Sequence, residues 1–332
     1  MEFLNANTKV PLKIINMEDI AVEEVKWLLY PFIPYGKVTI VQGDPGEGKT
    51  TLLLQIIARL TLGKNVFDSD ENSQFTIKSS EPQQVIYQTA EDGLGDTIKP
   101  RLIAAGADCR YVNVIDESDM SLSMLDERLE AAIVKTKAHL VVLDPIQGYI
   151  GSNIDMHKAN EIRPIMKRIS IIAQKYNCAI VLIGHMNKNS SGKSSYRGLG
   201  SIDIAAAARS VLLVGRIKDK PELRVVCHVK SSLAPEGKSL CFELSKNEGF
   251  IWRGECDISA DELLSSTMRE SKVTNAVDFL AEVLANGPVS KTIIDAEAEV
   301  KGIKSRTLWN AKQKLNISCF KSGNQWYWEL KK

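Results

Sequence analysis

One octapeptide constrains this chain more than any other part of it: Gly43-Asp44-Pro45-Gly46-Glu47-Gly48-Lys49-Thr50. It fills every fixed position of G-x-x-x-x-G-K-[ST], follows the β-branched run Lys37–Gln42 and opens the helical pattern Thr50–Leu62. A strand, a glycine-rich turn and a helix start, in that order, make a cradle for phosphate. The glycines let backbone N–H groups wrap the oxygens, and the helix N-terminus adds partial positive charge. In such a loop Lys49 reaches the β- and γ-phosphates and the Thr50 hydroxyl ligates magnesium. ATP and Mg2+ are therefore the expected ligands, with Thr51 completing the binding segment that begins at Gly43.

The runs Gln84–Gln88, His139–Leu143, Ala179–Gly184, Ser210–Val214 and Leu223–Lys230 are short, apolar and β-branched. Strands buried on both faces read this way. The stretches linking Lys37–Gln42 and the first three of these runs are long enough for crossover helices, and Ile162–Tyr176 carries Ile165, Ile169 and Ile172 along one side. The alternation predicts an α/β fold with a mostly parallel, doubly wound sheet. Leu240–Leu244 and Phe250–Trp252 are expected to add an edge hairpin.

Three residues are expected near the phosphate cradle because they end strands of that sheet. Asp144 closes His139–Leu143 and is placed to hold magnesium, directly or through water. Glu91 follows the second strand in Y-Q-T-A-E-D. Position alone leaves it open between an acid at a loop start and the base that polarises an attacking water. His185 closes Ala179–Gly184, where it is either structural or a contact to the γ-phosphate.

Taken in order, G-D-P-G-E-G-K-T, Y-Q-T-A-E-D, V-V-L-D-P, I-G-H-M-N-K and R-G-L-G-S-I-D-I-A-A-A-A-R-S resemble the RepA-like branch of RecA-fold ATPases, the hexameric helicases of plasmids and phages. The likeness runs over about residues 20–253. It implies a RecA-like P-loop NTPase core in which Lys49, Glu91, Asp144, His185 and Arg209 serve catalysis. Glu91 is then the catalytic carboxylate, His185 the γ-phosphate sensor and Arg209 the arginine finger of a neighbouring subunit. The strand Val225–Ser232 resembles one that ends in K-x-R in replicative helicases of the DnaB type. Here Lys230 remains but Ser232 replaces the arginine, which shifts the finger role onto Arg209 or, failing that, Arg216. In rings of this kind two loops line a central pore. Their counterparts here are 146–157 and 187–199, the second carrying Lys188, Lys193 and Arg197 with Tyr196 available for stacking on single-stranded DNA.

Residues 254–271 are polar and aperiodic and read as a linker. Beyond it Ala276, Phe279, Leu280, Val283 and Leu284 mark an amphipathic helix. Ser290–Val300 and Ser305–Leu315 follow as helices with Ser290 and Ser305 as expected N-caps, and then a hairpin over Ile317–Phe320 and Gln325–Leu330 in which Trp326 and Trp328 are expected in the core. Helix, helix-turn-helix and hairpin spell a small C-terminal winged-helix domain. The expected organisation is thus an N-terminal segment 1–24, an ATPase domain 25–253, a linker 254–271 and a winged helix 272–332. Residues 271–332 carry ten Lys and Arg against six Asp and Glu, although the whole chain stands at only +1. Lys304, Arg306 and Lys312 on the expected recognition helix are therefore candidates for contacts with duplex DNA.

Six scattered cysteines without a C-x-x-C pair argue against a disulfide framework or zinc site and for a reducing, cytoplasmic setting. No signal peptide is recognisable, and no apolar run nears the ~18 residues of a membrane span. The expectation is a homo-oligomer, a hexameric ring, that hydrolyses ATP to move on single-stranded DNA as a replicative helicase. The alternative is a non-motor, ATP-switched DNA-binding regulator or recombination mediator. A KaiC-like signalling ATPase fits the core but gives no reason for the winged helix.

Overall fold

A computed structural model of the protein describes residues 12–64, 66, 81–151, 154–186, 202–217, 220–245, 247–323 and 325–330. A short ribbon of β1 (Trp27–Leu29) and β2 (Ile33–Pro34) leads into the main sheet. That sheet is built from β3 (Val38–Gly43), β4 (Val85–Thr89), β5 (Val112–Asn113), β6 (Leu140–Asp144), β7 (Ala179–His185), β8 (Ser210–Ile217), β9 (Lys220–Ser231), β10 (Ser239–Ser245) and β11 (Gly249–Cys256). Their order across the sheet is β11-β10-β9-β8-β3-β7-β6-β4-β5. The strands from β8 to β5 run parallel, and β9, β10 and β11 continue the sheet antiparallel. This is the mixed α/β, parallel-rich sheet that the strand–helix alternation predicts.

The helices are α1 (Lys49–Thr61), α2 (Lys99–Ala104), α3 (Glu127–Thr136), α4 (Ala159–Lys175) and α5 (Ile202–Ala207), with a π-helical turn at Leu94–Ile98 before α2. Strand alternation divides the core. Val41, Tyr87, Val142 and Val181 face a layer containing Leu53, Ile57 and Leu60 of α1. Val38, Ile40, Ile86 and Val141 face the opposite layer, with Ile133 of α3 and Ile162, Ile165 and Ile169 of α4. Both faces of the sheet are covered, so its strands can be apolar throughout.

The segment expected to be a linker is not one. β11 runs to Cys256, and a single helix α6 spans Ala260–Val283. Its start is fixed by a capping box: the Ser259 hydroxyl accepts from the Glu262 N–H at 3.2 Å, and the Glu262 carboxylate accepts from the Ser259 N–H at 2.9 Å. Leu263 and Leu264 are buried against Leu213, Val225 and Cys227 of the sheet. Gly215 makes that approach possible, because a Cβ there would lie 2.9 Å from Leu263.

The other end of α6 packs into a second core with α7 (Lys291–Val300) and α8 (Ser305–Lys314): Ala276, Phe279, Leu280, Ile294, Leu308, Ala311 and Trp328. β12 (Val289–Ser290), β14 (Gln325–Glu329) and β13 (Ser318–Ser322) form a small antiparallel sheet beside it. Two details differ from expectation. Ser305 is the first helical residue of α8, with Lys304 at the N-cap position, and Ser290 occupies the N-cap of α7 without a side-chain capping bond. Trp328 is buried as expected, but Trp326 is exposed, because the hairpin extends past the edge of the core at that point.

Candidate functional site

Strand register assembles the site. Gly43 at the end of β3 pairs with His185 at the end of β7, and Thr89 at the end of β4 pairs with Asp144 at the end of β6. Four parallel strands thus deliver their carboxyl ends to one edge, and Glu91 follows two residues after Thr89. The turn from β3 into α1 is closed by Gly48 in the left-handed region, φ 90°, where a Cβ would also meet Leu244 at 2.9 Å. The resulting cleft of about 400 Å³ is lined by the turn, Thr51, Glu91, Asp92, Arg101, Asp144, His185 and Leu244.

Lys49 is buried, and its Nζ donates to the Gly43 and Asp44 carbonyls at 2.8 Å each. Burial pushes its pKa down, while the carboxylates of Asp144, Asp44, Glu47 and Glu91 pull the other way. The same ammonium lies 3.4 Å from His185 Nδ1. An ammonium only donates, so Nδ1 accepts and the ring proton belongs on Nε2. That nitrogen faces Glu91 Oε1 at 3.7 Å.

Thr50 Oγ1 donates to Asp144 Oδ2 at 2.7 Å, and the Tyr87 hydroxyl donates to the same oxygen at 2.7 Å. Burial raises the Asp144 pKa and the two hydrogen bonds oppose it. A hydroxyl and a carboxylate converging beside a buried lysine suit Mg2+, which takes few protein ligands and fills its shell with water and phosphate oxygens. Among the described residues no cluster of three His, Cys, Asp or Glu side chains offers a cage for another metal.

Several partners were not expected from sequence. Tyr87 reaches Asp144 because it lies two residues before Thr89 on the same face of β4, and Thr89 pairs with Asp144 of β6. Glu47, inside the phosphate turn, faces Arg216 at 3.6 Å and the buried Arg224 at 3.8 Å. Burial raises the Glu47 pKa against the pull of both guanidinium groups. Arg216 therefore pairs with the phosphate turn of its own chain. Asp92 pairs with Arg101 at 3.2 Å.

Arg209 is not brought to this site. It is exposed, follows α5 and precedes β8, where its N–H donates to the Val38 carbonyl at the opposite end of β3 from the cradle. Its carbonyl accepts from the Ser232 N–H at 3.0 Å. Lys230 Nζ donates to the carbonyls of Ala205, Ala206 and Ala208 at 2.8–3.0 Å, capping the end of α5. Lys188, Lys193, Tyr196 and Arg197 lie outside the described residues. In the C-terminal unit Lys304 and Arg306 are exposed, whereas Lys312 Nζ sits 4.8 Å above the Trp328 ring.

A model of the AAA domain family matches residues 10–191, more than half of the chain. DNA repair protein RadA of Halalkalibacterium halodurans is 30% identical over 172 residues, which cover 51% of this chain and 32% of that protein. RadA of Bacillus subtilis is 28% identical over 47% of this chain and 29% of its own length. Protein RecA of Sinorhizobium medicae is 21% identical over 67% of this chain and 60% of its own. This chain therefore spans about a third of the length of the RadA relatives. Among solved structures, a KaiC-like protein of Pyrococcus horikoshii is similar at 17% identity and a TM-score of 0.46, covering 68% of this chain and 93% of that one. The RadB recombinase is similar at 21% identity and a TM-score of 0.43, covering 66% and 91%. No helix among the described residues is long and apolar enough to cross a membrane.

Proposed function

The chain belongs to the AAA domain family, and from that premise we propose that it is a P-loop ATPase that couples ATP hydrolysis to movement on single-stranded DNA, as a plasmid- or phage-type replicative helicase working as a ring. The observation that carries the ATPase reading is the convergence of Lys49, Thr50, Asp144, His185 and Glu91 at one sheet edge. Lys49 and the backbone of Gly43–Thr51 bind the phosphates. Glu91 accepts the proton of the attacking water, and the His185 N–H, lying between Glu91 and Lys49, orients that carboxylate. Thr50 and Asp144 would hold magnesium, which when bound would supply a Lewis acid at the phosphate oxygens.

Assembly of several copies is supported by two features. Leu12, Ile14, Met17 and Val22 form an N-terminal arm of exposed apolar side chains, which a neighbouring copy would cover. Arg209, remote from its own cradle, stands beside Ser232, where the resembling strand has its arginine. It serves as the arginine finger of the next subunit, and Lys230 holds its turn in place.

In this reading residues 272–332 are a winged helix that contacts DNA through α8. The RadA relatives favour a second reading, a recombination mediator whose ATPase times its assembly on DNA. An assay of ATP-dependent strand separation on a forked substrate divides the two. Unwinding that requires Glu91 supports the motor, and DNA-stimulated hydrolysis without unwinding supports the mediator.

A further inference from the structure

Three large aromatic side chains of the C-terminal unit face solvent: Trp309 at 56% exposure, Trp326 at 53% and Phe320 at 41%. Two of them lie near one contact between the helix and the hairpin. At 100° per residue, Trp309 lies about 60° round α8 from Lys312, on the flank that turns toward the hairpin. Lys312 marks that flank because its ammonium lies over Trp328 of β14. Trp326 shares the face of Trp328 two residues away, and Lys321 pairs directly across from it. Both indoles thus lie close to the contact where α8 meets the hairpin, Trp309 three residues from Lys312 and Trp326 two residues from Trp328.

We propose that a groove between α8 and the β13–β14 hairpin, walled by Trp309 and Trp326 with Lys312 and Lys321 beside them, is a stacking site for unpaired nucleic-acid bases. An exposed indole offers a flat apolar face that any free base can cover, and flanking cations pair with the phosphates between bases. Paired bases bury their faces in the duplex stack and show only their edges. A duplex would instead meet the side of α8 opposite the core, where Arg306, Asn310 and Gln313 stand. Charge selects nucleic acid over a protein partner: from Gly302 onward seven basic side chains oppose Glu329 alone. With duplex against α8 and unpaired bases between α8 and the wing, the unit would sit at a junction between duplex and single strand.

The inference rests on the reading that this unit binds DNA, and the test separates the two. The full chain is labelled with 5-fluorotryptophan, and the resonances of Trp309 and Trp326 are assigned by Trp→Phe substitution and followed by 19F NMR. An eight-residue oligothymidylate should shift both saturably, while a blunt duplex of equal length leaves them in place. Trp309→Ala and Trp326→Ala should each weaken this site roughly tenfold for the oligothymidylate and leave duplex affinity unchanged. Indoles that stay silent with both DNAs, or respond equally to both, overturn the groove. If duplex binding still falls in Lys304→Ala/Arg306→Ala while the indoles stay silent, DNA binding by the unit stands and the groove alone fails. If that double substitution changes no DNA affinity, the underlying reading fails.

Discussion

Glu91 Oε1 lies 3.7 Å from His185 Nε2, and the same imidazole turns its other nitrogen toward Lys49. Glu91, the proposed base, and Lys49 are thus bridged by one imidazole ring. Glu91→Gln keeps the shape and removes proton acceptance, so ATP should bind at near wild-type affinity while turnover falls about 10²-fold or more. Nucleotide titration and steady-state hydrolysis on the same preparation check this. Wild-type turnover would move the role to Asp92, which Arg101 holds nearby.

The Thr50–Asp144 contact predicts a metal-specific defect. Asp144→Asn should leave binding of ATP in chelator almost unchanged and abolish most of the gain that Mg2+ confers on the wild type. Tyr87→Phe removes one of the two hydrogen bonds on Asp144 Oδ2 and should cost about 1–3 kcal/mol of stability, read by denaturant unfolding. If Mg2+ still enhances binding to Asp144→Asn as in the wild type, the carboxylate is not the metal's anchor.

His228 predicts acid sensitivity away from the cleft. Its ring stacks on Phe32 with centroids 4.6 Å apart, and burial pushes its pKa from 6.5 down to about 4. The unfolded chain therefore binds this proton more readily than the folded one. The favourable contribution is complete above about pH 6.5 and is lost as pH falls toward 4, on the order of 3 kcal/mol in all. Unfolding free energy measured from pH 7 to 4.5 should fall less steeply in His228→Phe. An unchanged slope would show that the ring accepts protons in the folded state.

The cradle, the strands and the carboxyl-end positions of Asp144 and His185 were legible in the sequence because each depends on local pattern: a fixed-spacing motif or an apolar run ending in a polar residue. The ties of Tyr87 to Asp144 and of Arg216 and Arg224 to Glu47 were not, since they arise from register between strands distant in sequence. The helix Ala260–Val283 announced itself in S-A-D-E, but the polar residues after Leu264 hid its periodicity. Trp326 looked like core because alternation places it with Trp328. Alternation gives the face of a strand and not how far the core extends along it.

Lys304 and Arg306 stand at the exposed start of α8. Neutralising both should lower duplex affinity uniformly across sequences. It should also reduce the slope of log affinity against log salt by about 0.9 for each phosphate that these cations neutralise in the wild type. Fluorescence anisotropy from about 50 to 200 mM salt measures it. A parallel drop in affinity with the slope intact would mean that neither cation touches a phosphate.

Arg209 tests both the ring and the finger. Its strand position aligns with Val38, five residues from Gly43, so at about 3.3 Å per residue its backbone stands roughly 16 Å from its own cradle along the sheet. Its guanidinium is exposed, while the neighbouring Lys230 is fully engaged by three carbonyls and Arg216 faces Glu47. Of these cations, Arg209 alone is exposed and remote from its own cradle. Arg209→Ala should therefore bind ATP almost as well as the wild type, because a finger acts on charge that develops in the transition state. Hydrolysis should fall by about 10³-fold or more. Lys49→Ala should be inactive for the separate reason that its own cradle has no cation. Mixing the two variants and allowing subunits to exchange creates interfaces in which an intact Lys49 from one chain meets an intact Arg209 from another. Part of the activity should return in proportion to those interfaces. Stable mixed oligomers without recovery, or full activity from a confirmed monomer, would place the stabilising cation within the subunit and return the search to Arg216.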